Sequence, residues 1–232
     1  MHPEQLAMFP LWYLAFLFSL TCHEAAHALV AQWGGDLTAY QEGQVTLNPM
    51  PHMRREPWGT VLWPILTYLI NGSIVGWGSA PYDPYWEQRY PRRAAWMALA
   101  GPVANLILMV LAGVAMRVAI GLGGLQRVAI PHFEYLAGST DPVWDGVARF
   151  LSILFSLNVL LAVFNLMPVP PLDGNSAITL LLPESLAERF REFTRQPMLG
   201  IFGILIAWWL CQPFFRAAWT LALAGVLGYR IG

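Results

Sequence analysis

Residues 6–33 form an apolar run long enough to cross a bilayer, and it is broken only by Ser, Thr, Gln32 and the cluster Cys22-His-Glu-Ala-Ala-His27. A membrane span needs about 20 apolar residues. Ionisable groups in hydrocarbon are costly and mark function by default. His23 and His27 are four residues apart, so on a helix they share one face about one turn from each other. Glu24 lies between them. Two histidines at this spacing with an adjacent glutamate form a zinc-site pattern, with the glutamate as general base toward an activated water. The blander reading is a chance match whose polar residues pack inside a helix bundle. That reading suits a soluble chain better than a membrane helix, where nothing cheap retains three such groups at depth.

The rest of the chain agrees with a membrane setting. It is 56% hydrophobic and 12% charged, against about 25% charged in ordinary soluble domains. Further apolar segments lie at about 58–77, 94–120, 147–167, 198–211 and 214–229, the last two short for a span. The predicted fold class is an all-α polytopic membrane protein in one domain over 1–232, with a core at 6–182 and extra C-terminal helices at 198–230. About five helices would span, joined by a re-entrant segment and a short β-hairpin-like insertion. The net charge of −1 implies no nucleic-acid partner. Cys22 and Cys211 read as buried free thiols. The first run lacks a basic leader and carries the metal motif, so it reads as a retained span. All thirteen basic residues are arginine, for which there is no structural account.

Between the spans the pattern changes. Gly34-Gly35-Asp36 ends the first helix, and Gly43 to Pro49 reads as a short strand entering a turn. A Gly/Pro-rich stretch runs from Gly76 to Pro84, the loop 121–146 is the longest, and 183–197 reads as an amphipathic surface helix. The segment 58–77 holds Pro64, Asn71-Gly72 and Gly76, turn residues that a clean span should lack. A re-entrant helix buried in protein tolerates them.

A catalytic zinc site needs a third protein ligand and keeps a fourth position open. Asp173 is the candidate, in Asn165-Leu-Met-Pro-Val-Pro-Pro-Leu-Asp-Gly174 directly after the run 147–167. Pro168, Pro170 and Pro171 remove backbone donors and break the helix. By spacing alone Asp173 reads equally well as a turn acid before glycine, and His52 and His132 are rival ligands in loops.

Three motifs taken together carry a resemblance: His23-Glu-Ala-Ala-His27, Ala100-Gly-Pro-Val-Ala-Asn105 and Asn165-Leu-Met-Pro-Val-Pro-Pro-Leu-Asp-Gly174. In order and spacing they resemble the site-2 protease family of intramembrane zinc metalloproteases. Leu47-Asn48-Pro49, His52, Gly59-Thr60 and Gly76-Trp77-Gly78 are similar to its compact branch, which has no PDZ or CBS domain. The resemblance implies His23, His27 and Asp173 as ligands of one Zn2+ per chain and Glu24 as the catalytic base. It implies that Asn165 holds the substrate backbone. Asn105 would belong to the core packing or polar lining near the site, and both Asn105 and His52 count as substrate-side residues. The sequence departs from the pattern at Asn175, where a second glycine is usual, at Arg54 and Arg55, where an acid is common, and after Gly76-Trp77, where a lysine is usual.

Topology gives an independent expectation. For Asp173 to reach His23 and His27, the first helix and the 147–167 helix should end on the same face of the membrane. An odd number of crossings must then separate them, so one of 58–77 and 94–120 does not cross, and the Pro/Gly content selects 58–77. That face then carries Arg54, Arg55, Arg89, Arg92, Arg93, Arg189, Arg191, Arg195 and Arg230, against Arg117, Arg127, Arg149 and Arg216 opposite. The arginine-rich face is cytoplasmic by the positive-inside rule. This places the protein in the cell (inner) membrane with the site toward the cytoplasm.

Zinc would polarise a scissile carbonyl, and Glu24 would move the proton from water to the leaving amine. A helical substrate must unwind first, and the stretches 43–49 and 76–84 are candidate edges to receive it as a strand. The resemblance implies as partner a transmembrane segment of a single-pass membrane protein, trimmed first by another protease. An anti-sigma factor or a leftover signal peptide would fit, and a homodimer is compatible. Two other readings are a catalytically silent adaptor that binds membrane helices and a zinc transporter. A transporter should show acids or histidines on several spans, whereas here they converge on one site.

Overall fold

Four helices are long and apolar enough to cross a membrane among residues 3–229, which the computed structural model describes. They are α1 (Pro3–Trp33), α6 (Pro91–Gly121), α7 (Pro142–Asn165) and α10 (Pro197–Ala222), the last extended by a π turn at Leu223–Leu227. At ~1.5 Å per residue even the shortest exceeds the ~30 Å hydrocarbon thickness. Proline opens all four, a position where its missing N–H costs nothing. Asp141 caps α7 by accepting from the Val143 and Trp144 amides.

α1, α6 and α7 pack on one another, and α10 lies against α7. The shared core includes Phe16, Leu20, Met109, Met116, Ile153 and Phe155. α6, preceded by the short α5 (Pro84–Arg89), starts where α1 ends: the Trp86 indole and the Arg93 guanidinium both donate to the Gly34 carbonyl, at 3.1 and 2.9 Å. It finishes near the start of α1, where the Trp12 indole donates to Glu134 at 2.9 Å. α7 therefore runs in the same direction as α1, as the site requires.

Residues 56–83 make an excursion that leaves and returns at one end of the bundle. A π turn (Trp58–Leu62) and α4 (Trp63–Asn71) descend along α1. Tyr13 donates to the Thr60 carbonyl at 3.2 Å and Tyr68 to the Gln5 carbonyl at 2.6 Å. Gly72, at φ 74°, turns the chain, and an extended segment climbs back. It is tied by Val75 to Thr67, Trp77 to Gly59, Ser79 to Glu56 and Asp83 to Asp36. The nine-residue α4 is about 14 Å long, too short to cross.

Three expectations change. Residues 43–49 hold turns between the short helices α2 (Thr38–Gln41) and α3 (Pro49–Arg55), because no neighbouring strand offers an edge to pair. The two strands lie instead in the long loop, β1 (Gln126–His132) against β2 (Tyr135–Gly138), with an irregularity between the Arg127 and His132 pairs. The segments 198–211 and 214–229 are one helix that passes through Pro213. Consequently Tyr229 ends beside the hairpin, donating to the Leu136 carbonyl at 2.5 Å. Arg230 lies outside the described residues. The amphipathic segment is α9 (Glu184–Thr194), with Ala187 buried and Leu186 and Phe193 exposed.

Candidate metal centre

The helical register of α1 turns His23, Glu24 and His27 into the bundle, where all three are buried. The third contributor arrives from α7. After Asn165 the chain cannot continue as a helix through Pro168, Pro170 and Pro171. It folds back and starts a one-turn helix, α8 (Asp173–Ala177). Gly174 makes this possible: a Cβ there would stand 2.5 Å from the Met167 carbonyl oxygen. α8 is thereby held against the end of α7, with Asp173 facing α1.

The ligating atoms converge. His23 Nε2 and His27 Nε2 are 3.0 Å apart, and Asp173 Oδ2 lies 3.2 Å from the first and 3.4 Å from the second. A tetrahedral zinc with bonds of about 2.0–2.1 Å sets its ligands about 3.3 Å apart. Both Nδ1 atoms face acceptors, His23 toward Asn105 Oδ1 and His27 toward the Met97 carbonyl, each at 2.7 Å. Each imidazole thus keeps its proton on Nδ1 and offers a bare Nε2 to the cluster. Two lone pairs and a carboxylate oxygen at these distances repel unless a cation lies between them. Asp173 Oδ2 is buried and has no hydrogen-bond partner.

Gly101 of α6 supplies the floor. A Cβ on it would fall 2.6 Å from His23 Nε2 and clash with His27 Nε2, so the glycine keeps open the space that a metal would fill. Gly78 of the extended segment lies against Glu24: a Cβ there would stand 2.8 Å from Glu24 Oε1. The buried Glu24 carboxylate accepts no hydrogen bond from any described residue. Donor set, spacing and open cradle all fit zinc. Among the described residues His23, His27 and Asp173 form the single group of three able to hold a metal ion.

The other candidates fall elsewhere. Asn105 is fully buried behind His23, donating to Asn158 Oδ1 at 2.8 Å, so it faces the core and not a substrate. His52 is buried in the 38–55 insertion with Nε2 on the Thr46 carbonyl at 3.0 Å, and it presents no surface to a peptide. Asn165 ends α7 half-buried, its amide on the Leu161 carbonyl at 3.1 Å and its Oδ1 uncommitted. His132 lies on β1, at the end of the bundle remote from Gly34. Sequence reasoning gave no role to Gly101, though the glycine inside an otherwise apolar helix was a signal for close approach. Asn158 carried no motif.

Known proteins bear on this arrangement. The model of peptidase family M50 matches residues 11–210. The chain is 34% identical over 188 residues to "Putative zinc metalloprotease YwhC" of Bacillus subtilis, covering 81% of this chain and 76% of that protein. It is 29% identical over 217 residues to "Putative zinc metalloprotease Rip2" of Mycolicibacterium smegmatis, covering 93% and 74%. It is 31% identical over 216 residues to the protein of the same name from Mycobacterium tuberculosis, covering 91% and 73%. No solved structure gives a significant match.

Proposed function

The chain belongs to peptidase family M50, and from that premise we propose that it is an intramembrane zinc metalloprotease hydrolysing peptide bonds in transmembrane segments. The observation that carries the reading is the cluster of His23 Nε2, His27 Nε2 and Asp173 Oδ2 at zinc spacing, with an unengaged Glu24 carboxylate beside it. His23, His27 and Asp173 would hold one zinc ion per chain. Bound zinc supplies Lewis acidity toward the scissile carbonyl and the attacking water. Glu24 takes the water's proton and returns it to the leaving amine. Gly78 leaves room for a peptide backbone next to that carboxylate. The proline-broken segment 166–172 and the extended segment 73–83 flank the site and can hold an unwound substrate.

The substrate is the transmembrane segment of a single-pass protein in the same bilayer, and the enzyme works as a monomer or a homodimer. Arg54, Arg55, Arg89, Arg92, Arg93, Arg189, Arg191 and Arg195 gather at the end where α1 terminates. Arg117, Arg127, Arg149 and Arg216 lie toward the other. This bias supports a cytoplasmic site in the cell membrane.

The test is cleavage of a model transmembrane substrate by the purified protein in liposomes. Wild type should cleave, and Glu24→Gln should keep its zinc and lose cleavage by about 10²-fold or more, since the base is gone and the ligands remain. Equal rates for the two proteins would remove Glu24 from the mechanism. A wild type that carries no zinc after purification would overturn the metalloprotease reading.

A further inference from the structure

A chain of buried polar side chains leads away from the metal cluster through three helices. His23 Nδ1 meets Asn105 Oδ1 at 2.7 Å. Asn105 Nδ2 donates to Asn158 Oδ1 at 2.8 Å. Asn158 Nδ2 donates to the Leu154 carbonyl and to Ser19 Oγ, each at 2.8 Å. Ser19 Oγ donates to the Ala15 carbonyl at 2.7 Å. Ser19, Asn105 and Asn158 are each 0% exposed, so water does not substitute for any of these bonds.

The order of donors is forced from the far end. The Leu154 carbonyl can only accept, and the Ser19 proton is already given to Ala15, so an amide oxygen turned toward them would meet two acceptors and no donor. Asn158 must turn its NH2 toward them and its oxygen toward Asn105. Asn105 must then turn its NH2 toward Asn158 and its oxygen toward His23. His23 must carry its proton on Nδ1, which leaves Nε2 bare. His27 needs no such relay, because the Met97 carbonyl fixes it directly.

We propose that Asn158 is a positioning residue that sets, through Asn105, the tautomer in which His23 offers Nε2 to the metal. The inference rests on the zinc reading above. Without an acceptor at 158 the Asn105 amide is free to flip and present NH2 to His23 Nδ1. The ring proton then moves to Nε2 and blocks ligation. Loss of such an outer partner typically weakens metal binding about 10–100-fold. A residue that only joins helices would lack this directional dependence.

The experiment measures zinc dissociation constants of the full chain in detergent, by competition of the metal-stripped protein with a chromophoric chelator. Asn158→Leu should bind zinc about 10–100-fold more weakly than the parent. Asn105→Asp removes the need for orientation, because both carboxylate oxygens accept. The double variant Asn105→Asp/Asn158→Leu should therefore return to within about threefold of the parent. Asn158→Val replaces the leucine variant if thermal unfolding shows the latter is not folded. An Asn158→Leu affinity equal to the parent's, or a loss of the same size in both backgrounds, would overturn the relay and leave Asn158 as packing. A parent chain that binds no zinc would instead bring down the metalloprotease reading itself.

Discussion

At the scale of single residues the site is decided by what is missing as much as by what is present. Gly101 has no Cβ, and that absence is the space between the two Nε2 atoms. Helix propensity favours alanine over glycine by about 1 kcal/mol, which offsets part of the ~1–3 kcal/mol that crowding His23 and His27 costs, so Gly101→Ala should still fold. It should nonetheless lose zinc, since the methyl would sit 2.6 Å from His23 Nε2. Elemental analysis next to a thermal melt checks this, and full zinc content in a folded Gly101→Ala protein would show that the ion sits elsewhere. Asp173→Ala should also strip the metal, because zinc sites need a third protein ligand. If Asp173→Ala stayed fully loaded while His52→Ala emptied, Asp173 would not be a ligand and His52 would take its place.

At the scale of elements, the excursion 56–83 and the turn after α7 do the shaping. Gly59 and Gly76 let the descending and returning arms touch: a Cβ on Gly76 would stand 2.9 Å from Pro64 and strike the Gly59 carbonyl. Gly76→Val should cost about 1–3 kcal/mol, at the upper end because the clash is with backbone. It should also displace the segment that carries Gly78 past Glu24, so cleavage should fall while zinc stays. Unchanged cleavage at unchanged melting temperature would separate this arm from the site. The turn after α7 bears on unwinding. Pro168, Pro170 and Pro171 leave carbonyls unpaired, and Asn165 Oδ1 is uncommitted, so an extended peptide has acceptors to meet. Asn165→Ala should slow cleavage with zinc retained, and more for a stable transmembrane helix than for one loosened by Gly or Pro near the cut. Equal losses on both substrates would reject a role for Asn165 in unwinding.

At the scale of the whole molecule, four spans and one excursion put Arg55, Arg92 and Arg191 on one side and Gly123 and Asp141 on the other. Cysteine labelling from each side of the membrane should reproduce this division with the first group cytoplasmic. Labelling that splits Arg55 from Arg92 would mean that 58–77 crosses. Much of this was readable in one dimension. The spans are long apolar runs, the histidine pair is a helical repeat, and the proline break before Asp173 follows from missing donors, all local properties of the chain. The parity of crossings then followed from requiring Asp173 and His27 to meet. What was not local was not legible. Val45-Thr46-Leu47 has strand-like residues but no partner edge, and Val128 to Gly138 found its pairing in packing against α7 and Trp12. Pro213 looked like a break but loses only one bond in a helix supported by α7. By itself the sequence determined the chemistry on offer and the depth at which it sits, because both depend on residue type and spacing along a helix. Only the tertiary structure decided which atoms face the metal, since the bare Nε2 of His23 depends on Asn105 and Asn158, 82 and 53 residues further along at successive steps and adjacent only once three helices pack.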